Sequence, residues 1–225
     1  MILNPVKKYL KEIKDIVKYD KYYRKYKEYT MMPQANYIDC LSLLSRYKNI
    51  DGCIVECGVW RGGMSAGIAE VMGKERDYYL FDSYEGLPPA TEMDGKAAID
   101  WQKNTNDPGY FDNCKAEMEW AQKAMAKSGA KNVKLVKGWF QHTTPGYNFD
   151  KPIAVLRLDG DWYDSILVCL ENLFPKVAKG GVIMIDDYYV WEGASKAIHE
   201  YLAKNKRPER LINMWYLSGC YLIKQ

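Results

Sequence analysis

Histidine is nearly absent from the 225-residue chain, which has only His142 and His199. Its six cysteines (Cys40, Cys53, Cys57, Cys114, Cys169, Cys220) are scattered, with no C-x-x-C pair. Zinc knuckles and dithiol redox sites are therefore not indicated. Cys57 and Cys169 lie in apolar runs and read as reduced core residues. No apolar run approaches the roughly 20 residues that span a bilayer. The first residues are charged too early for a secretory signal, so the expected location is the cytoplasm and no membrane partner is expected. A G-x-G-x-x-G fingerprint is also missing, which disfavours a dinucleotide pyrophosphate. A net charge of +3 is too small to imply nucleic acid. Outside its N-terminus the chain is slightly acidic, so no wide basic groove is expected.

Basic charge concentrates at the start. Between Lys7 and Lys27 there are nine Lys/Arg and three acids. Residues 5–29 place Val6, Leu10, Ile13 and Val17 at helical spacing. That stripe predicts an amphipathic helix packed on the domain or on a second subunit, in a homo-oligomer. A second helix is expected over 31–50, starting just after Pro33. We expect a helical arm over 1–33 and one domain over 34–225.

Within that domain, strand, loop and helix alternate. Strands are expected at 52–59, 77–84, 133–140, 152–159 and 181–186. Helices are expected at 62–74, 112–128, 163–178 and 192–204. This pattern predicts a doubly wound, Rossmann-like α/β sheet, mostly parallel. The C-terminal "RLINMWYLSGCYLIKQ" reads as two apolar runs joined at Ser218-Gly219, a hairpin that adds an antiparallel strand. Segment 86–111, rich in Pro, Gly, Asp and Asn, interrupts the rhythm. It reads as a lid or as a surface insertion.

Several strand ends carry chemistry. "VECGVWRGGMS" (55–65) leads from the first strand into a helix, with Glu56 closing the strand. Gly58, Gly62 and Gly63 let the chain pass close to a ligand, and the helix start offers free N–H groups beside Arg61 and Ser65. The second strand ends in Asp82 and Ser83. An acid there commonly binds ribose hydroxyls in doubly wound nucleotide folds. "KGWF" follows the third strand with Gly138, Trp139 and Phe140, aromatics that either flank an adenine or pack in the core. "LRLDGDWYDS" and "VIMIDDY" end buried runs in Asp159, Asp161, Asp186 and Asp187.

Taken in order, "VECGVWRGGMS", "FDSYEGLP", "KGWFQHTTP", "LRLDGDWYDS" and "VIMIDDY" resemble the macrocin O-methyltransferase family. The resemblance runs from about residue 34 to the C-terminus. It implies a class I methyltransferase fold that uses S-adenosylmethionine, and Mg²⁺-dependent O-methylation of a sugar hydroxyl. It places the metal on Asp159, Asp186 and Asp187, with Asp159 also proposed as base. The donor site then falls on Glu56, Gly58, Arg61, Gly62, Gly63, Ser65, Asp82, Ser83, Gly138, Trp139, Phe140 and Asp159.

The acids fit this picture physically. Ligands of doubly wound sheets bind at the carboxyl ends of the strands. Several carboxylates gathered there at neutral pH require a cation, and an all-oxygen set selects a hard ion such as Mg²⁺. Asp161 is a second candidate base, or else a cap for the helix starting near Tyr163. His142 is a candidate polar contact or base, or else a surface loop residue; His199 reads as helix surface. A catechol-type O-methyltransferase and a nicotinamide-dependent oxidoreductase are the alternative enzymes.

Overall fold

The computed structural model describes residues 5–214 and 219–225. The side chains of Val6 and Leu10, and Ser218 of the expected hairpin turn, lie outside the described residues.

Strands β1 (Cys53–Cys57), β2 (Asp77–Asp82), β3 (Asn132–Lys137), β4 (Ile153–Leu158), β5 (Val177–Ile185), β6 (Ile212–Asn213) and β7 (Cys220–Ile223) form one sheet. Their order is β3-β2-β1-β4-β5-β7-β6. The first five are parallel, and β7 runs antiparallel to β5 and β6. The order reverses between β1 and β4, which opens a crevice at their carboxyl ends.

Strands β1 and β4 are buried along their whole length, as expected when both faces of a parallel sheet are covered. Ile54, Tyr78, Leu80 and Val155 pack with helices α1 (Pro5–Tyr26), α2 (Gln34–Ser45), α3 (Gly63–Met72) and α5 (Met118–Ser128). The alternate residues Val55, Cys57, Tyr79 and Leu156 pack with α7 (Tyr163–Leu173) and α8 (Glu192–Lys204). Cys57 and Cys169 are free, buried thiols of the second layer.

Some expected boundaries move. β5 starts at Val177 rather than 181, so it takes the last residues assigned to the preceding helix. Strand β3 ends at Lys137, and Phe140 begins the one-turn helix α6 (Phe140–Thr143). Segment 86–111 holds a helix of its own, α4 (Gly95–Lys103), preceded by a turn whose Thr91 and Asp94 form a capping box. It is also fastened to the domain. The Tyr163 N–H donates to Asp94 at 2.7 Å, and the Trp162 indole N–H donates to the Pro88 carbonyl at 2.9 Å.

The α1 helix is anchored by a different face from the one its aliphatic residues mark. Tyr19 and Tyr26 are buried in the first layer, and the Tyr26 hydroxyl donates to Glu70 at 2.9 Å. Ile13 and Val17 are 42% and 78% exposed. Lysine and tyrosine alternate so often here that the spacing of the aliphatics alone hid the tyrosine face. None of the described helices is long and apolar enough to cross a membrane.

Candidate active site

The β1–α3 loop crosses directly over the end of β4. Gly58 has φ +87°, and a Cβ there would lie 1.7 Å from the Asp159 carbonyl oxygen. Only glycine allows this crossing. The loop is pinned from the β2 side by Asp82. One carboxylate oxygen accepts from the N–H groups of Val59 (2.6 Å) and Trp60 (2.9 Å), and the other accepts from Tyr84 (2.6 Å). Burial raises the Asp82 pKa, and these three amides oppose the rise. Asp82 thus organises the loop as well as facing the cavity.

The remaining residues of the first half divide between lining and support. Gly62, at φ +79°, caps α3, and Gly63 packs on the backbone of Tyr29. Arg61 stacks on Trp60 and Trp120 at 4.5 and 4.7 Å. Ser65 donates to Glu56, which is buried and does not face the cavity. Ser83 closes the turn after β2 by donating to Gly86. The Gly138 N–H donates to the Asp82 carbonyl at 2.9 Å and so brings Trp139 and Phe140 to the cavity wall.

The second half holds the acids. Arg157, on β4, is in register with Glu56 of β1. Its buried guanidinium reaches Glu56 at 2.6 Å, Asp159 at 2.8 Å and Asp186 at 3.0 Å. Burial works against its charge, but Asp159, Asp186 and Glu56 outweigh it and raise the Arg157 pKa further. Beyond Arg157, oxygens of Asp159, Asp161 and Asp187 lie within 4.8 Å of one another. The Asp187 Oδ2 is buried without a hydrogen-bond partner. Burial, then Asp161, Asp159 and Asp186, push the Asp187 pKa well above the carboxylate range. Asp161 is pushed up to about 7 by burial and the charge of Asp159. Asp186 reaches about 6, burial outweighing Arg157.

The acids of this half outnumber the charge available to them. Arg157 partners Glu56, Asp159 and Asp186, which leaves Asp161 and Asp187 with no cationic partner among the described residues. A hard cation fits this all-oxygen set and the orphaned Asp187 oxygen. Of the four acids read from the sequence, Asp159, Asp161 and Asp187 converge, whereas Asp186 borders the cavity but leans on Arg157.

Both halves open into one cavity of about 240 Å³, bordered by Gly58, Asp82, Trp139, Phe140, Asp159 and Asp187 among others. His142 lies on α6, exposed and outside this lining. Its position after Phe140 suggested the cleft, but a single helical turn carries it to the outer surface. His199 accompanies Tyr188, 2.8 Å from its hydroxyl, at an exposed position. The sequence did not point to the cavity at Met31, Met32, Pro33 and Asn36, which cover it from the connection between α1 and α2 and the first turn of α2, or at Cys114 on the far side. Arg157 was missed too, although a charged residue inside a fully buried strand, two positions before Asp159, was a legible signal.

A family model described as Macrocin-O-methyltransferase (TylF) matches residues 27–222. Demethyldecarbamoylnovobiocin O-methyltransferase of Streptomyces niveus is 31% identical over 183 residues, covering 74% of this chain and 64% of the relative. Mycinamicin III 3''-O-methyltransferase of Micromonospora griseorubida is 28% identical over 171 residues, covering 73% and 66%. The chain thus spans just under two thirds of the length of these relatives. Among solved structures, the O-methyltransferase NovP superposes with a TM-score of 0.72 at 28% identity, over 88% of this chain and 82% of that one. CalS11, a calicheamicin methyltransferase, shares the fold with a TM-score of 0.60 at 23% identity, over 82% and 77%.

Proposed function

The chain belongs to the macrocin O-methyltransferase family, and on that premise we propose that it methylates a hydroxyl of a small molecule. The donor is S-adenosylmethionine, and the acceptor is a sugar of a glycosylated natural product or a nucleotide sugar. Mg²⁺ is held at the acid cluster. The observation that carries this reading is the uncompensated carboxylate cluster, with the partnerless Asp187 oxygen, in the same cavity as the β1 and β2 ends. A nicotinamide-dependent oxidoreductase would have no use for these acids.

When bound, the sulfonium supplies an electrophilic methyl group, and the dication makes the acceptor hydroxyl more acidic. The chain's residues do the rest. The Gly58 crossing and the Asp82-pinned loop shape the donor end of the cavity, with Trp139 and Phe140 as its aromatic wall. Asp159, Asp161 and Asp187 would hold the cation, and Arg157 holds Asp159 and Asp186 in place. The hydroxyl proton passes to Asp159 or Asp161, the two acids of the loop after β4. Met31, Met32 and Pro33 keep water from the reacting end. Positioning of this kind, rather than a strong base, is the main demand of an in-line displacement.

The test is methyl transfer from S-adenosylmethionine to a panel of glycosides and nucleotide sugars, with Mg²⁺ and with EDTA. Turnover that stops with EDTA and returns with Mg²⁺ is expected. Turnover untouched by EDTA removes the metal from the reading. Tight binding of NADH with none of S-adenosylhomocysteine removes methyl transfer itself.

A further inference from the structure

Asp161 sits in an unusual piece of backbone. Its φ is +56°, a region that few non-glycine residues adopt, although aspartate tolerates it better than most. The Trp162 N–H donates to the Gly160 carbonyl at 2.6 Å, closing a three-residue turn around Asp161. Turns of this size with a positive central φ are rare and strained. The strain aims the Asp161 side chain at Asp159 and Asp187 rather than along α7, which begins just beyond it.

A second element catches the side chain there. Trp191, from the start of α8, donates its indole N–H to the Asp161 Oδ1 at 2.9 Å. The indole is itself wedged by other rings, with centroids 5.3 Å from Trp162 and 5.8 Å from Trp101. Trp101 belongs to α4, within segment 86–111. The acid therefore has one oxygen fixed by a neutral donor, and its other oxygen remains for a cation. A neutral donor satisfies an oxygen without cancelling the charge that a cation needs, unlike the guanidinium on Asp186.

We propose that Trp191 is a positioning residue: its indole N–H holds the Asp161 carboxylate in the cation site, where Asp161 joins Asp159 and Asp187. The inference rests on the cation reading above. It assigns a role to the residue that caps the start of α8 and lies outside the cavity lining.

The test is calorimetric titration of the full chain with MgCl₂, with S-adenosylhomocysteine titrated separately. W191F keeps an aromatic ring in the wedge, though a smaller one, and removes the N–H donor. It should bind Mg²⁺ about tenfold or more weakly, as expected for a hydrogen bond to a charged group, and keep its affinity for S-adenosylhomocysteine. W101F perturbs the same ring cluster without touching the bond to Asp161, and should leave Mg²⁺ affinity unchanged. D161N should lose at least as much as W191F. The double variant should lose no more than D161N alone, because both act through one carboxylate. Unchanged Mg²⁺ affinity in W191F, an equal loss in W101F, or additive losses in the double variant would each overturn the proposal. Wild-type protein that binds no Mg²⁺ overturns the cation reading and this inference together. Wild type that binds while W191F is unaffected overturns the inference alone. A variant that does not fold is replaced by a measurement on wild type labelled with ¹⁵N-tryptophan. The Trp191 indole resonance should move on adding Mg²⁺, and a stationary resonance refutes the proposal.

Discussion

Asp82 and Asp187 end neighbouring parts of the same sheet, yet they are treated in opposite ways. Asp82 is half-buried, and three backbone N–H groups use both of its oxygens. Asp187 is buried with an oxygen that has no partner, among acids that share one guanidinium with Glu56. In the β1–β2 half the Asp82 carboxylate is satisfied by the backbone alone, and it is part of the architecture. The β4–β5 half is incomplete, and an incomplete buried charge is a demand for something from outside the chain. The difference separates acids that build a site from acids that await a ligand.

Four experiments break or sharpen that contrast. The largest effect is expected from Asp187→Asn. Turnover with Mg²⁺ should fall by at least about a hundredfold, because a metal contributes several kcal/mol to such a step. Affinity for S-adenosylhomocysteine should persist. Without metal the same variant should be as stable as wild type or more so, since it removes a carboxyl whose ionisation burial and the neighbouring acids oppose. A clear loss of metal-free stability would show Asp187 to be architectural after all.

Asp82→Ala should behave in the reverse manner. Three loop amides lose their acceptor, so chemical denaturation should show a loss of roughly 2–4 kcal/mol with or without Mg²⁺. S-adenosylhomocysteine binding should weaken with the loop. Equal stability of variant and wild type would remove Asp82 from the architecture.

pH supplies the third contrast. Asp161 and Asp186 are raised to about 7 and about 6 in the folded chain, above an unfolded value of about 3.9. Their contribution to stability is full below about pH 4 and is lost as pH rises through their folded values, by up to about 1.4 kcal/mol per unit for each group. Mg²⁺ compensates the ionised carboxylates and cancels that loss. The rise in melting temperature on adding Mg²⁺ should therefore be larger at about pH 8 than at about pH 6, and an equal rise would contradict the assignment.

The smallest effect concerns the other place where chain chemistry is left uncovered. Val17→Ser on α1 should change stability by no more than about 0.5 kcal/mol, since the residue is exposed on the chain. Light scattering of the same variant at matched concentration reads whether this face joins copies of the chain. A lower mass than wild type is expected if the homo-oligomer anticipated from the stripe forms there.

The sheet was legible because buried parallel strands are short apolar runs and each is followed by a helical period. The limits of that signal show at β5. The strand was expected from Gly181 after a helix running to 178, but it starts at Val177 and passes through Gly180, with a register shift against β4. Segment 86–111 looked irregular because its helix is short and starts on Gly95, a poor helix former. What makes it regular is the capping box of Thr91 and Asp94 and the bonds to Tyr163 and Trp162, contacts distant in sequence. The acids were visible as charges at strand ends. Their division of labour was not, because whether Asp161 or Asp186 turns toward Asp159 depends on Arg157 and Trp191. Arg157 belongs to the next strand over from Glu56, and Trp191 to a helix thirty residues beyond Asp161.

The cavity wall is composite, and this bears on how acceptor preference changes over time. Its reacting end is built from strand termini and cannot shift without disturbing the sheet. Its cover comes from Met31, Met32, Pro33 and Asn36 on one side and from Leu87, Pro88 and Cys114 on the other, all on connections or helix starts outside the sheet. Substitution of Met31, Pro33, Asn36, Leu87 or Cys114 changes the shape of the cavity. Met32 instead accepts from the Arg157 guanidinium and the Pro88 carbonyl from Trp162, so these two are tied to the site. On the reading proposed above, the fold permits drift in acceptor choice through these cover residues, and they are where grafting between relatives should begin.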